Sequence, residues 1–202
     1  MPEGPYVRER QTEYWTSRQI EDYFLNAGFD ILVFPLGQPS EKELPADFIF
    51  FDKKRLKLVG LQYKALYRNA SDHWRLTAHQ HDRMRKHYPW IYYAASEMRS
   101  SREHRNALHY TRFFSPGFRF QANLPVGEGP RYFRWGGFYQ AFERCKVGVR
   151  IRSRRQLEEQ LWPFAQRDMP AEIADLPDVF LADLDDRHVV HYSPFLRLNG
   201  QG

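Results

Sequence analysis

Hydrophobic and polar positions follow different periods along the first half of the chain. From Thr12 to Ala27 the apolar side chains recur every three to four residues, and Gly28 follows as a stop signal, so this segment is predicted to be a helix. Apolar runs without helical spacing come next, and a charged turn after the second run indicates a hairpin. These runs predict strands at 29–36, 46–52 and 57–67.

A second helix is predicted in the latter part of 71–87 and a further strand at 91–95, so the first half of the chain has the element order αβββαβ. Beyond residue 100 the pattern predicts helices at 102–114, 136–145 and 153–165, a strand at 118–124, and a hairpin formed by 179–183 and 188–192. We expect one α/β domain over 1–202, in which a mixed central sheet is flanked by helices. Its core spans 12–95, and a C-terminal α/β elaboration spans 96–202.

The composition is that of a folded domain, with 202 residues of which 42% are hydrophobic and 27% are charged. The single cysteine, Cys145, excludes an internal disulfide and is expected to be a small buried apolar side chain. The N-terminal segment has no apolar signal-peptide core, and no apolar run has the length of a membrane span. We therefore expect a cytoplasmic protein that is neither secreted nor embedded in a membrane.

The formal net charge of +5 at pH 7 favours a polyanionic partner. Basic residues are densest between 144 and 155, and others lie in the predicted hairpin turn and on the second helix. Such side chains bind phosphates of a duplex without reading its sequence, although they also serve to solvate a surface or to bind another protein. The candidates for nucleic-acid contact are Lys53, Lys54, Arg83, Lys86, Arg152, Arg154 and Arg155.

Polar side chains interrupt the two apolar strands of the predicted hairpin. Asp47 opens one strand, and the other contains Gln62 and Lys64, which a period of two places on the same face. An ammonium in an apolar strand needs a partner, and a carboxylate beside an amide oxygen can hold a hard divalent cation. The spacing leaves two alternatives open, namely a buried ion pair between Asp47 and Lys64, or a Lys64 side chain that extends to solvent at the strand end.

The tripeptide Gln62-Tyr63-Lys64, preceded by Pro45 and Asp47 on the neighbouring strand, resembles the motif of the PD-(D/E)XK nuclease superfamily. The glutamine in place of the second acid is similar to the Q-x-K variant found in the Mrr-like restriction endonucleases and in nucleases of antiviral defence. The order αβββαβ is also that of the superfamily core. The resemblance implies a restriction-endonuclease-like fold for residues 12–95.

The resemblance also implies a division of roles among these residues. Asp47 would bind Mg²⁺, for which Mn²⁺ can substitute, and Gln62 and the backbone carbonyl of Tyr63 would add neutral oxygen ligands. Lys64 would hold the attacking water or stabilise the charge on the phosphate. Because glutamine carries no charge, this site should bind its metal less tightly than one with two acids.

Many members of the superfamily add an acid from the first helix, and two glutamates are candidates here. At 100° per residue, Glu13 lies about 20° from Ile20 on the apolar face of the helix, whereas Glu21 lies about 100° away. Glu13 is therefore the better candidate for a metal ligand, and its alternative role is that of a first-turn acid favoured by the helix dipole. Glu21 is expected on a solvated flank.

These features predict a Mg²⁺-dependent DNA endonuclease that acts on double-stranded DNA in restriction, antiviral defence or a mobile element. Such a short chain would act as a homodimer or as a subunit of a larger complex. The alternative is a non-catalytic nucleic-acid-binding or protein-interaction module on the same fold. An enzyme for small molecules on an unrelated α/β fold is a third interpretation, for which the sequence offers no motif.

Overall fold

The structure, a computed structural model, describes residues 4–36, 44–52, 55–68, 71–152, 156 and 159–160. The first element is helix α1 (Glu9–Asn26), which begins three residues before its predicted start. Arg8 precedes it in an extended conformation and forms no side-chain cap, so the usual sequence signal for a helix start is missing. Glu9 consequently lies in the first turn of the helix.

The other elements follow in an order that contains the predicted αβββαβ core. They are β1 (Ile31–Pro35), β2 (Phe48–Asp52), β3 (Lys57–Lys64), β4 (Leu66–Tyr67), β5 (His73–Arg75), α2 (Ala78–His87), β6 (Ile91–Ser96), β7 (Thr111–Phe114), β8 (Asn123–Pro125), α3 (Trp135–Glu143) and β9 (Val149–Arg150). Short 3₁₀ helices span Ser101–Asn106 and Val126–Glu128.

The central sheet is mixed, as predicted, and runs in the order β1-β2-β3-β6-β7. The β1–β2, β2–β3 and β6–β7 pairs are antiparallel, while β3 and β6 are parallel. Strand β9 pairs with the first two residues of β3, where Lys57 lies opposite Arg150. The coarse fold class, an α/β fold whose mixed sheet is flanked by helices, is therefore confirmed.

The two faces of this sheet bury different sets of side chains. Val59, Leu61 and Tyr63 of β3 pack on one face with residues of α1 and α3, among them Phe24 and Phe138. Leu58, Ile49 of β2 and Tyr93 of β6 pack on the other face with Met84 of α2. Because side chains alternate along a strand, Gln62 and Lys64 lie on the face that α2 covers.

The predicted third strand, 57–67, is interrupted at Ala65. Residues after the break form β4, which pairs with β5, and β5 pairs with β8 to give a small second sheet. The N-terminal segment extends this sheet, since the backbone N–H of Tyr6 donates to the carbonyl of Leu66 (2.9 Å). The break therefore marks the point at which the chain leaves the central sheet.

Several expectations for the second half of the chain are wrong. The helix predicted at 102–114 is a 3₁₀ turn that a Ser100–Glu103 capping box begins, followed by strand β7. Only the end of 118–124 is a strand, because Phe118 and Phe120 pack against the core from an irregular segment. Cys145 is exposed in a turn with a φ of 56°, rather than buried.

The helix predicted at 136–145 is confirmed as α3, which ends two residues earlier. The helix predicted at 153–165 lies outside the described residues apart from positions 156, 159 and 160, and the hairpin predicted at 179–192 lies wholly outside them. Among the described residues, no helix is both long enough and apolar enough to cross a membrane.

Candidate active site

Asp47 is held between two strands at the point where β2 begins. Its backbone N–H donates to the carbonyl of Leu61 (2.8 Å), and its carbonyl accepts from the N–H of Leu36 (2.7 Å). Only 5% of the residue is exposed. A carboxylate with so little access to water must find partners within the protein.

The partners of the Asp47 carboxylate come from the residues that sequence reasoning placed beside it. Its Oδ2 atom accepts a hydrogen bond from Nε2 of Gln62 at 2.8 Å and a second from the backbone N–H of Tyr63. Gln62 is itself 1% exposed. The Q-x-K segment and the predicted carboxylate therefore meet in a buried contact.

The backbone of β3 also directs a carbonyl oxygen, that of Tyr63, towards Asp47. The carbonyl of Leu61 and the N–H of Tyr63 both bond to Asp47, so both residues direct their backbone groups towards it. In a strand the N–H and C=O of one residue point to the same side. The carbonyl of Tyr63 therefore lies on the Asp47 side, where the predicted ligand role requires it.

Lys64 forms an ion pair with a glutamate that the sequence analysis did not identify. Its Nζ lies 3.8 Å from Oε1 of Glu9, and only 7% of its side chain is exposed. Oε2 of the same glutamate accepts from the backbone N–H of Ala65 (3.2 Å). The alternative in which Lys64 extends to solvent is therefore wrong, and the ion pair that forms joins β3 to α1.

Glu9 was missed because the apolar periodicity of α1 starts only at Thr12. It lies one helical turn before Glu13, so both glutamates share a face of α1. Glu13 is half-buried, and its charge acts on the phenol of Tyr63, which hydrogen-bonds Ser17 (2.7 Å). Burial raises the pKa of Tyr63 well above its ordinary value, and the charges of Glu13 and Asp47 add to the rise.

The expectation for Glu21 is wrong. It is 8% exposed rather than solvated, because it faces the sheet from the fourth turn of α1. Val33 and Phe48 line the same small cavity. Glu21 therefore belongs to the face of the sheet that α1 covers, opposite the face that carries Gln62.

Helix α2 contributes a second amide to the site. Nε2 of Gln80 donates to Oε1 of Gln62 at 3.3 Å, and the buried Oε1 of Gln80 has no hydrogen-bond partner among the described residues. The Asp47 carboxylate accepts only, so it turns the NH₂ group of Gln62 towards itself. Gln80 must then donate to Gln62, which leaves the oxygen of Gln80 at the end of the chain of bonds.

These residues match the chemistry of a magnesium site. The carboxylate of Asp47, the carbonyl of Tyr63 and the amide oxygens are hard ligands of the kind that Mg²⁺ prefers. Rotation of both amides by 180° would place Oε1 of Gln62 beside Asp47, and its Nε2 would then donate to the oxygen of Gln80. In the described part of the chain, no three His, Cys, Asp or Glu side chains form a metal-binding group, so the fit depends on amide and backbone oxygens.

Of the predicted nucleic-acid-binding residues, the three that the structure describes, Arg83, Lys86 and Arg152, do not form one patch. Arg83 packs over the ring of Tyr88 (5.9 Å), and Lys86 pairs with Asp82 (3.5 Å) on the outer part of α2. Arg152 follows β9 near Lys57, at the other end of β3, which is about 23 Å from Lys64 at the usual rise per residue. Lys53, Lys54, Arg154 and Arg155 lie outside the described residues.

Comparison with known proteins identified no relative of this chain. The chain matches no family model, no curated protein and no solved structure. We therefore infer a function from the chemistry of the residues that meet at the start of β2 and the end of β3.

Proposed function

We propose that this protein is a Mg²⁺-dependent nuclease of the PD-(D/E)XK type, with a restriction-endonuclease-like core, and that it hydrolyses phosphodiester bonds of DNA. The observation that supports this proposal is the buried contact of the Asp47 carboxylate with Gln62 and Tyr63, next to the buried ammonium of Lys64. Burial of a carboxylate, an amide and an ammonium in an apolar sheet is costly unless each is bonded. A catalytic site gives a reason for that cost.

Asp47 and its neighbours hold the metal in this proposal. Asp47 supplies a negative charge, while Gln62 and the carbonyl of Tyr63 supply neutral oxygens. When bound, Mg²⁺ would polarise the phosphoryl oxygens and compensate the charge that develops on them. One carboxylate gives modest affinity, so waters and the substrate phosphate complete the ligand set.

Lys64 acts directly on the reacting groups. Its Nζ donates either to the attacking water, which it orients, or to a non-bridging phosphate oxygen, whose negative charge it stabilises. Glu9 holds the ammonium from the other side at 3.8 Å. The Glu9 side chain is 41% exposed, so this ion pair lies at the edge of the protein surface.

Double-stranded DNA is the proposed substrate, in restriction, antiviral defence or a mobile element. A single site cuts one strand at a time, so two-strand cleavage would require a homodimer or a larger complex in the cytoplasm. The net charge of +5 is consistent with a polyanionic partner.

A non-catalytic nucleic-acid-binding module on the same fold is the second candidate. One observation favours it: Gln62 donates its NH₂ group to Asp47, and in this direction it offers the carboxylate a hydrogen bond in place of a metal. In that case the same residues would be a satisfied polar cluster that keeps β2 and β3 in register.

Nicking of supercoiled plasmid with Mg²⁺ or Mn²⁺ distinguishes the two candidates. Asp47→Asn should reduce nicking at least about a hundredfold, because it removes the charge that holds the metal. Asp52→Asn is the matched control, since Asp52 is also buried on β2 but bonds Arg55 at the other end of the strand. Equal nicking by both variants would contradict the site. A parent protein that binds plasmid but nicks it with neither metal would support the inert module.

A further inference from the structure

The N-terminal segment brings Arg8 next to Lys64. Pro5 forms an antiparallel bridge with Tyr67, and this register, continued by three residues, places Arg8 opposite Lys64. The contacts of Glu9 agree with this placement, since its carboxylate lies 3.8 Å from Nζ of Lys64. Arg8 therefore precedes α1 directly beside the ammonium that the proposed mechanism uses.

The side chain of Arg8 lies on the same face as that of Lys64. Val7 is 4% exposed and packs with Met98, whereas Tyr6 packs against the core on the face that α2 covers. Side chains alternate along an extended segment, and the backbone of Arg8 is extended. Arg8 therefore returns to the side of Tyr6, which is also the side of Lys64.

The guanidinium of Arg8 is available to a ligand. Arg8 is exposed, and its side chain forms no hydrogen bond, ion pair or ring contact with the part of the chain that the structure describes. The neighbouring carboxylate of Glu9 instead contacts Lys64 and the backbone N–H of Ala65. The N–H groups of Arg8 form a planar fork of donors that matches two oxygens of a phosphate.

Arg8 is an unfavourable residue for the start of α1. The N-cap position favours Ser, Thr, Asp or Asn, whose side chains accept a helix N–H, and Arg8 forms no such cap. Its positive charge also lies at the positive end of the helix dipole. A residue that weakens its own helix and gains no contact within the described structure is typical of a functional site.

We propose that Arg8 binds a backbone phosphate of the nucleic acid, next to the phosphate that Lys64 contacts. This inference rests on the proposed function, because it takes the ligand to be a nucleic-acid strand that passes Lys64. Only 7% of the Lys64 side chain is exposed, whereas Arg8 lies at the surface. Arg8 thus holds the strand at the protein surface, and Lys64 acts on the phosphate that enters the site.

Binding of a fluorescein-labelled DNA duplex, measured by anisotropy in EDTA at several salt concentrations, tests this role. Arg8→Asn should weaken binding about tenfold and make the slope of log affinity against log salt shallower by about 0.9. Because asparagine is a favourable N-cap residue, the melting temperature should stay the same or rise, so the loss of binding would not come from a damaged fold. Arg8→Lys keeps the charge, so it should keep the slope while losing part of the affinity.

Arg18→Ala is the matched control, because Arg18 is an exposed arginine that pairs with Asp22 (3.4 Å), about 15 Å along α1 from Arg8. It should bind DNA as the parent does. Equal affinity and equal slope in the Arg8→Asn and parent proteins would overturn the inference, as would an equal loss in Arg18→Ala or a parent protein without measurable binding. Where Arg8→Asn fails to fold, Arg8→Gln takes its place with the same expectations for binding.

The two proposals fail in different ways. Because binding in EDTA needs no metal, it reports on Arg8 whether or not the protein cuts DNA. Nicking by the parent together with unchanged binding by Arg8→Asn would overturn the role of Arg8 alone. Binding that depends on Arg8, with no nicking in either metal, would support that role and contradict the nuclease.

Discussion

Glu9 and Lys64 join the first turn of α1 to the last residue of β3 by an ion pair of 3.8 Å. The same glutamate accepts the N–H of Ala65, so it fixes the chain at the point where β3 leaves the central sheet. The pair is only partly buried, because the glutamate side chain is 41% exposed, and such pairs contribute little to stability. In the proposed mechanism, the role of this ion pair is to orient the ammonium of Lys64.

Glu9→Gln should slow plasmid nicking about tenfold, since the amide orients the Lys64 ammonium less strongly than a carboxylate does. The melting temperature should change little, because the glutamate is partly exposed. Glu13→Gln should be compared with it, because Glu13 lies one turn further along the same helix face and is the other candidate acid of α1. A larger loss of nicking in Glu13→Gln than in Glu9→Gln would show that Glu13 is the functional acid of α1.

Gln62→Glu should retain or increase Mn²⁺ affinity, because it adds a full charge to a site of hard ligands. It also places a second carboxylate where an amide now donates to Asp47 at 2.8 Å. The metal-free variant should therefore melt at a lower temperature than the parent, and Mn²⁺ should raise its melting temperature by more. Calorimetric titration and thermal melting measure both effects, and weaker Mn²⁺ binding would show that residue 62 does not face the metal.

Gln80 can be tested by two substitutions with opposite expected effects. Gln80→Leu removes the acceptor that Gln62 needs when its oxygen turns to the metal, so Mn²⁺ affinity should fall about tenfold. Gln80→Glu offers only acceptors and should keep or increase that affinity. Electron paramagnetic resonance of bound Mn²⁺ gives the affinity without an activity assay. Similar affinities in the two variants would contradict the amide reversal.

His81 should make the protein less stable in acid. It is buried on α2, where its ring contacts the hydroxyl of Tyr93 (3.3 Å) and the carbonyl of Phe118 (3.1 Å). Burial lowers its pKa from the ordinary value of 6.5, and Arg85 lowers it further, while the Phe118 carbonyl and Asp82 oppose the shift. The unfolded chain therefore takes up the proton first as the pH falls.

The contribution of His81 to stability is complete above pH 6.5 and decreases as the pH falls from there through the lower pKa of the folded state. Urea unfolding at several pH values should show this decrease in the parent protein. In His81→Gln the decrease should be smaller, because glutamine does not titrate. His79→Gln, which alters an exposed histidine of the same helix, should follow the parent, and a parent-like pH dependence in His81→Gln would contradict the assignment.

The core of the fold could be predicted because its elements have clear periods. The apolar run that forms β3 has no competing helical spacing, and the β2–β3 hairpin follows from its charged turn. The start of α1 could not be predicted, since Arg8 gives no capping side chain. That missing signal also concealed Glu9.

The pairing of polar groups was only partly predictable. The period of two placed Gln62 and Lys64 on one face, and Asp47 does contact Gln62. The partner of Lys64 comes from α1, far away in the sequence, so spacing within the hairpin carried no information about it. The contact of Gln80 depends on how α2 packs, which the period of a helix does not determine.

Plasmid nicking by two lysine variants shows whether Lys64 takes part in catalysis. Lys64 and Lys57 are both buried on β3, at opposite ends of the strand, and Lys57 donates to the carbonyl of Phe142 instead of facing Asp47. Lys64→Met should lose at least about a hundredfold in nicking rate while it folds and binds DNA. Lys57→Met should nick at a rate close to that of the parent. Parent-like nicking by Lys64→Met would contradict the catalytic role of Lys64.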